Sequence, residues 1–183
     1  MKFIILDRDG VINRDSDSYI KHPDEWHPID GSLEAIARLS RAGYRIFVAT
    51  NQSGLARGLF SIDTLNAIHR KMYDAVQQVG GHIDGIFFCP HGPDEKCHCR
   101  KPNPGLYQAI QKRTHTSLAD TPVVGDSLRD LQAALKIDAR PILVRTGNGE
   151  KTIKLLSGKL KDIPVFNDLY SFSKRLIEES EQK

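Results

Sequence analysis

The sequence predicts an α/β protein: a doubly wound, Rossmann-like, mostly parallel sheet with helices on both faces. Three observations predict it. Short β-rich runs alternate with helical patterns, the runs are apolar on both faces, and no insertion is long enough to fold as a large cap domain. Runs of that kind suit parallel strands covered from both sides. Strand, helix, strand, repeated, winds such a sheet.

The first run, Phe3–Asp7, reads as the first strand. Ser32–Arg41 has apolar spacing of three and four, with Ser32 and Glu34 at its start and Gly43 as its stop. Tyr44–Thr50 is the second strand. Ser61–Val79 is the next helix, opened by Ser61 and Asp63 and closed by Gly80–Gly81. Gly85–Cys89, Thr121–Asp126 and Arg140–Thr146 read as further strands. Between them lie the helices Pro104–Thr114 and Ser127–Leu135, the second opened by Asp126 or Ser127 with Asp130. About residues 168–183 form a terminal amphipathic helix without an assigned role.

With 183 residues the chain fits a single domain, and its 39% hydrophobic and 27% charged residues are ordinary for a globular protein. No apolar run reaches the length of a membrane span. Only Phe3 to Leu6 are apolar at the start, too few for a signal core, so a cytoplasmic location is expected. The basic residues are scattered and no aromatic stripe runs between them, which argues against nucleic acid as a partner. A monomer is expected.

Ligands of such sheets sit at the carboxyl ends of the strands. Those ends carry Asp7-Arg8-Asp9-Gly10, Thr50-Asn51-Gln52-Ser53, Cys89-Pro90-His91 and Gly125-Asp126-Ser127. Asp7 and Asp9 at the mouth of a buried strand repel unless something positive or protonated separates them, and Mg²⁺ with its hard oxygen ligands is the economical answer. One carboxyl can then attack while the other moves protons. Alone, the motif also fits a surface turn. Thr50, Asn51, Gln52 and Ser53 offer a hydroxyl, amides and backbone N–H groups to phosphoryl oxygens. Arg100 and Lys101 supply cations. Asp126 can serve as a third acidic metal ligand and Asp130, one helical turn on, can brace the site; alone, the segment also reads as an acidic cap followed by a solvated helix face.

All three cysteines lie between Cys89 and Cys99. Cys89, His91, Cys97 and Cys99 make a closed set of three thiolates and one imidazole, the pattern of structural Zn²⁺. His98 is a spare imidazole between two ligand cysteines.

The four segments in this order resemble the haloacid dehalogenase-like phosphohydrolase superfamily, over about residues 3–146. The resemblance implies Asp7 as a nucleophile that forms an aspartyl-phosphate, Asp9 as acid/base, and Thr50 and Lys101 as phosphoryl stabilisers. It implies Mg²⁺ on Asp7, the backbone carbonyl of Asp9, and Asp126. Within the superfamily, Asp7–Asn13, Thr50–Gly58, Cys99–Gly105 and Val144–Gly147 resemble the heptose 1,7-bisphosphate 7-phosphatases of lipopolysaccharide or S-layer precursor synthesis. Histidinol phosphatases share the short zinc loop and are the alternative. Ser127 departs from the lysine that some heptose enzymes carry. A sugar bisphosphate needs a second polar patch, for which Arg57 and Arg100 are candidates, with Asp15 and Tyr19 for hydroxyls. The zinc loop and Asp15–Trp26 would wall the site in place of a cap. A zinc-stabilised nucleic-acid-binding module and a transferase using the same intermediate are the competing readings.

Overall fold

The computed structural model describes residues 2–182. Its sheet has six strands, β1 (Lys2–Leu6), β2 (Tyr44–Asn51), β3 (Gly85–Cys89), β4 (Pro122–Gly125), β5 (Arg140–Val144) and β6 (Val165–Phe166). They run in the order β3-β2-β1-β4-β5-β6, and every pairing is parallel. The helices are α1 (Ser32–Arg41), α2 (Ile62–Gln78), α3 (Gly105–Thr114), α4 (Leu128–Leu135), α5 (Gly149–Ile153) and α6 (Leu169–Glu181). Among the described residues no helix is long and apolar enough to cross a membrane.

The two-residue period of a strand explains the layers. Ile4 and Leu6 of β1 point to one face, where they share a core with Ile36 and Leu39 of α1, Ile68 and Met72 of α2, and Phe172 of α6. Phe3 and Ile5 point to the other, against Leu106, Tyr107 and Ile110 of α3 and Ala133 and Ala134 of α4. β1 lies between β2 and β4, so Ile4, Ile5 and Leu6 are fully buried. Their continuous apolar run is what a parallel strand covered on both sides requires.

The expected fold class holds, with three differences. The sheet is wholly parallel and carries β6, which with its two residues is too short to show a period. The five-residue α5 escapes notice for the same reason. Ser32 begins α1 without capping it: Gly31 is the cap, at φ 81°, and the Ser32 hydroxyl donates to the Ile12 carbonyl at 2.6 Å. By contrast, Ser61 caps α2 through the Thr64 N–H, and Ser127 with Asp130 forms a capping box on α4.

Strand order reverses direction between β1 and β4, so their helices leave to opposite faces and a crevice opens at their carboxyl ends. Leu6 is level with Val48 on one side and Val124 on the other. Asp7, Thr50 and Asp126 therefore emerge together within a residue or two of that level.

Candidate active site

The crevice is a cleft of about 350 Å³. Asp7, Asp9, Thr50, Lys101, Asp126 and Asp130 line it, as do Asp15, Tyr19, Asn51, Gln52, Ser53, Arg57 and Arg100. Segments far apart in sequence thus meet where the strand ends bring them.

Lys101 stands at the centre and is 2% exposed. Its ammonium lies 3.0 Å from Asp7 Oδ1 and 2.5 Å from Asp130 Oδ1, and donates to the Ala49 carbonyl at 2.7 Å. Burial alone would lower the lysine pKa, but the charges of Asp130 and Asp7 reverse the effect and hold it above the usual range. Asn51 fixes the lysine's backbone from both sides: its amide donates to the Lys101 carbonyl and its oxygen accepts from the Lys101 N–H, each at 3.1 Å. The Asn51 amide, expected to face a ligand, is committed to the protein.

The four carboxyls divide into two pairs. Asp130 accepts from the Ser127 hydroxyl at 2.7 Å; burial would raise it, but Lys101 and these hydrogen bonds hold it below the usual carboxylate range. Asp9 is also held low: burial would raise it, and the Arg8 charge with hydrogen bonds from Asn13, Arg8 and Gln52 outweighs that. Gln52 donates to Asp9 Oδ2 and to Thr50 Oγ1, both at 2.9 Å, so its amide too is engaged. Asp7 and Asp126 behave oppositely. Burial pushes Asp7 well above the usual range, and Asp130, Asp126 and Asp9 add to the push against Lys101. Burial pushes Asp126 up to about 7, with the Asp130 charge adding to it and the Asn148 N–H opposing.

Carboxylate oxygens of Asp7, Asp126 and Asp130 lie within 4.8 Å of one another. Asp130 is already neutralised by Lys101, which leaves Asp7 and Asp126 as a pair whose ionisation their surroundings penalise. A hard divalent cation fits that donor set. Two glycines make room for the Asp126 carboxyl. A Cβ on Gly10 (φ 81°) would stand 2.1 Å from Asp126 Oδ2, and one on Gly147 (φ 58°) would stand 2.2 Å from it.

Arg57 lies over the Tyr19 ring, 5.8 Å from its centroid. Arg100 donates to the His91 carbonyl at 3.2 Å, and burial followed by the nearby charge of Arg129 lowers its pKa. Among the described residues Arg57, Arg100 and Arg129 form no ion pair with a carboxylate, although all three line the cleft. Asp15 accepts from the Asn148 amide at 3.0 Å. Sequence reasoning missed Arg8, Asn13, Arg129 and Asn148. Asn148 was the most accessible of these, since it closely follows the fifth strand run.

Cys89, His91, Cys97 and Cys99 converge beside the cleft. Sulfur–sulfur separations are 3.1, 3.7 and 3.8 Å, and His91 Nδ1 lies 3.5 Å from Cys89 and 3.2 Å from Cys99. A tetrahedron of thiolates about 2.3 Å from a zinc has sulfurs about 3.8 Å apart, so the set fits that ion. The His98 ring turns away to Gln108 at 2.6 Å. The Cys97 sulfur accepts from the Arg100 N–H at 3.3 Å, which ties the loop to the cleft.

Comparison with known proteins gives the family. A HAD-hydrolase-like family model matches residues 98–171. A D-glycero-β-D-manno-heptose-1,7-bisphosphate 7-phosphatase of Bordetella bronchiseptica is 56% identical over 98% of this chain and all of its own. A relative of the same name from Pseudomonas putida is 50% identical over 97% of this chain and all of its own. Among solved structures, the D,D-heptose 1,7-bisphosphate phosphatase of B. bronchiseptica with magnesium and phosphate superposes with a TM-score of 0.94 at 56% identity. It covers 98% of this chain and 99% of that one.

The glycine at position 10 gives a direct test of the crowding around Asp126. Gly43 shares its φ of 81° but has open space at its Cβ. Gly43→Ala should cost about 1 kcal/mol of stability from the left-handed backbone alone. Gly10→Ala should cost about 1–3 kcal/mol more from the clash. Denaturant unfolding of both variants measures the difference, and equal losses would show that Asp126 yields freely.

Proposed function

This chain belongs to the HAD-like phosphatases, alongside the heptose-bisphosphate phosphatases, and from that premise we propose that it removes the 7-phosphate of D-glycero-β-D-manno-heptose 1,7-bisphosphate. One observation carries the mechanism: the Asp7 carboxyl faces the cleft, 3.0 Å from a buried ammonium and within 4.8 Å of a second carboxyl.

Asp7 is the nucleophile. Its oxygen attacks phosphorus, the bond from phosphorus to O7 breaks, and Asp9 gives a proton to the departing alkoxide. Water then attacks the phosphorus of the aspartyl-phosphate, Asp9 takes the water's proton, and the Asp7 carboxylate leaves. Thr50 and Lys101 hold the phosphoryl oxygens as their charge shifts, joined by Ser53. Asn51 positions Lys101, and Gln52 positions Asp9 and Thr50. Asp7, the backbone carbonyl of Asp9, and Asp126 would hold Mg²⁺, which when bound offsets the charge of the carboxylates and the phosphate.

Arg57, Arg100 and Arg129 form a cationic rim for the phosphate that does not react, with Asp15 and Tyr19 available to the sugar hydroxyls. Pro93 of the cysteine loop and the segment from Asp15 to Ile20 wall the cleft in place of a cap. Cys89, His91, Cys97 and Cys99 would hold Zn²⁺, which when bound would fix the loop and through it Arg100. The thiols stay reduced in the cytoplasm, where this reading puts the protein. This reading takes the protein as a monomer in which residues 1–183 form one domain.

The first test is release of inorganic phosphate from the heptose 1,7-bisphosphate anomers, with histidinol phosphate and Asp7→Asn as controls. Magnesium-dependent release from the β anomer, lost in the variant, is the expected result. Preference for histidinol phosphate would overturn the substrate, and release by Asp7→Asn would overturn the nucleophile.

Magnesium binding should depend on pH through Asp126. Its raised pKa means that the neutral carboxyl stabilises the metal-free fold at low pH, a contribution lost as pH rises through about 7. The ion must displace that proton to bind. The rise in Tm that magnesium gives should therefore grow between about pH 6 and about pH 8, and Asp126→Asn should flatten it.

Cys97→Ser should lower the zinc content per chain and the Tm together, by the loss of one of four ligands. Elemental analysis beside a melting curve checks this; full zinc content in the variant would remove Cys97 from the ligand set.

A further inference from the structure

Arg8 sits between the two aspartates of the first motif, yet its side chain is 1% exposed and never reaches bulk water. Its Nε and Nη2 donate to Asp9 Oδ1 at 3.0 and 2.9 Å, and Nη2 also to Asp9 Oδ2 at 2.9 Å. The remaining nitrogen, Nη1, lies 3.3 Å from Nε2 of His69, a buried residue of α2 on the far side of the loop. Burial, with the Arg8 charge, pushes His69 down to about 3, so the ring is neutral, and in the tautomer protonated on Nδ1 its Nε2 accepts from the guanidinium. The Phe88 ring of β3 packs 6.0 Å from it.

Burying a guanidinium costs several kcal/mol before its partner repays any of it. The loop itself does not need that side chain. Its turn is closed by the Arg8 backbone carbonyl, which accepts from the N–H groups of Ile12 and Asn13 at 2.8 and 3.1 Å. The side chain's contacts go to one carboxyl and one imidazole. A planar fork fixes both the position and the plane of a carboxyl, which a lysine cannot do.

We propose that Arg8 is a positioning residue that aims the Asp9 carboxyl at the leaving oxygen, and that His69 fixes Arg8 from α2. The proposal rests on the reading of Asp9 as the proton carrier. The proton moves from Asp9 to the alkoxide as the phosphorus–oxygen bond breaks, and a misaimed carboxyl fails at that step. An aryl leaving group such as p-nitrophenolate departs without a proton, so formation of the aspartyl-phosphate from it is indifferent to the aim, whereas the water step, with Asp9 as base, is common to both substrates.

The test compares kcat/KM, which reports the steps through loss of the leaving group, for the heptose bisphosphate and for p-nitrophenyl phosphate in Arg8→Met, Arg8→Lys, His69→Leu and His69→Gln, with melting curves for each. Arg8→Met should lower kcat/KM on the sugar phosphate about a hundredfold, the lower end of acid–base contributions, and on the aryl phosphate less than about threefold. Arg8→Lys should not rescue it. His69→Leu should show the same split at about tenfold, and His69→Gln, which keeps an acceptor, should restore the rate. Equal losses on both substrates, or His69→Gln no better than His69→Leu, would overturn the relay even where Arg8→Met fails to fold. Asp9→Asn separates the relay from the proton carrier it serves. If it shows the leaving-group split and Arg8→Met does not, only the relay falls; if it shows none, the proton-carrier reading falls first.

Discussion

One buried ammonium organises this molecule. Lys101 touches the carboxyls of Asp7 and Asp130 and the Ala49 carbonyl, and so joins the ends of β1 and β2 to the first turn of α4. A lysine in that position is stable only because both carboxylates surround it, and removal of one partner of such a group costs about 3–5 kcal/mol. The Asn51 clamp and the capping box at Ser127 answer the same need. Each fixes one of the parties so that the charge is never left unpaired.

Charge balance governs the whole floor of the cleft in the same way. Asp7, Asp9, Asp126 and Asp130 are its acids, and Lys101 and Arg8 are the protein cations among them. Each cation holds one carboxyl low, Lys101 for Asp130 and Arg8 for Asp9. Asp7 and Asp126 are left raised: Lys101 is shared between Asp7 and Asp130, so the four carboxyls exceed the two cations by two charges, the charge of one magnesium ion. The division also separates roles. Asp130 and Asp9 are held ionised by their cations, while Asp7 and Asp126 are the pair whose ionisation a bound cation would favour.

Much of this was legible in the sequence, because a parallel sheet announces itself by apolar runs and its ligands by the polar residues just beyond them. Asp7, Thr50 and Asp126 were readable as a set for that reason. What the sequence hid was pairing across segments. Nothing local distinguishes a buried Arg8 from a solvated one, since burial depends on His69 arriving from α2. Asn51 and Gln52 stand at the right strand end, but their amides answer Lys101 and Asp9, partners distant in the chain. Ser32 illustrates the converse: its helix start was visible, its bond to Ile12 was not.

The rim is built on a different principle from the floor. Arg57 lies beyond β2, Arg100 leaves the cysteine loop, and Arg129 lies on α4, so three independent segments each offer one guanidinium to the same cleft. Among the described residues none pairs with a carboxylate, and Arg100 feels the like charge of Arg129. Like charges held this close in a fold are tolerable when an anion enters between them and are otherwise a cost. In the proposed function the floor would be neutralised by its own cations and a metal, and the rim would take its charge from the ligand. That division assigns chemistry and selectivity to separate residues: a change in the rim would alter which phosphate ester is held, while the charge balance around Asp7 stays intact.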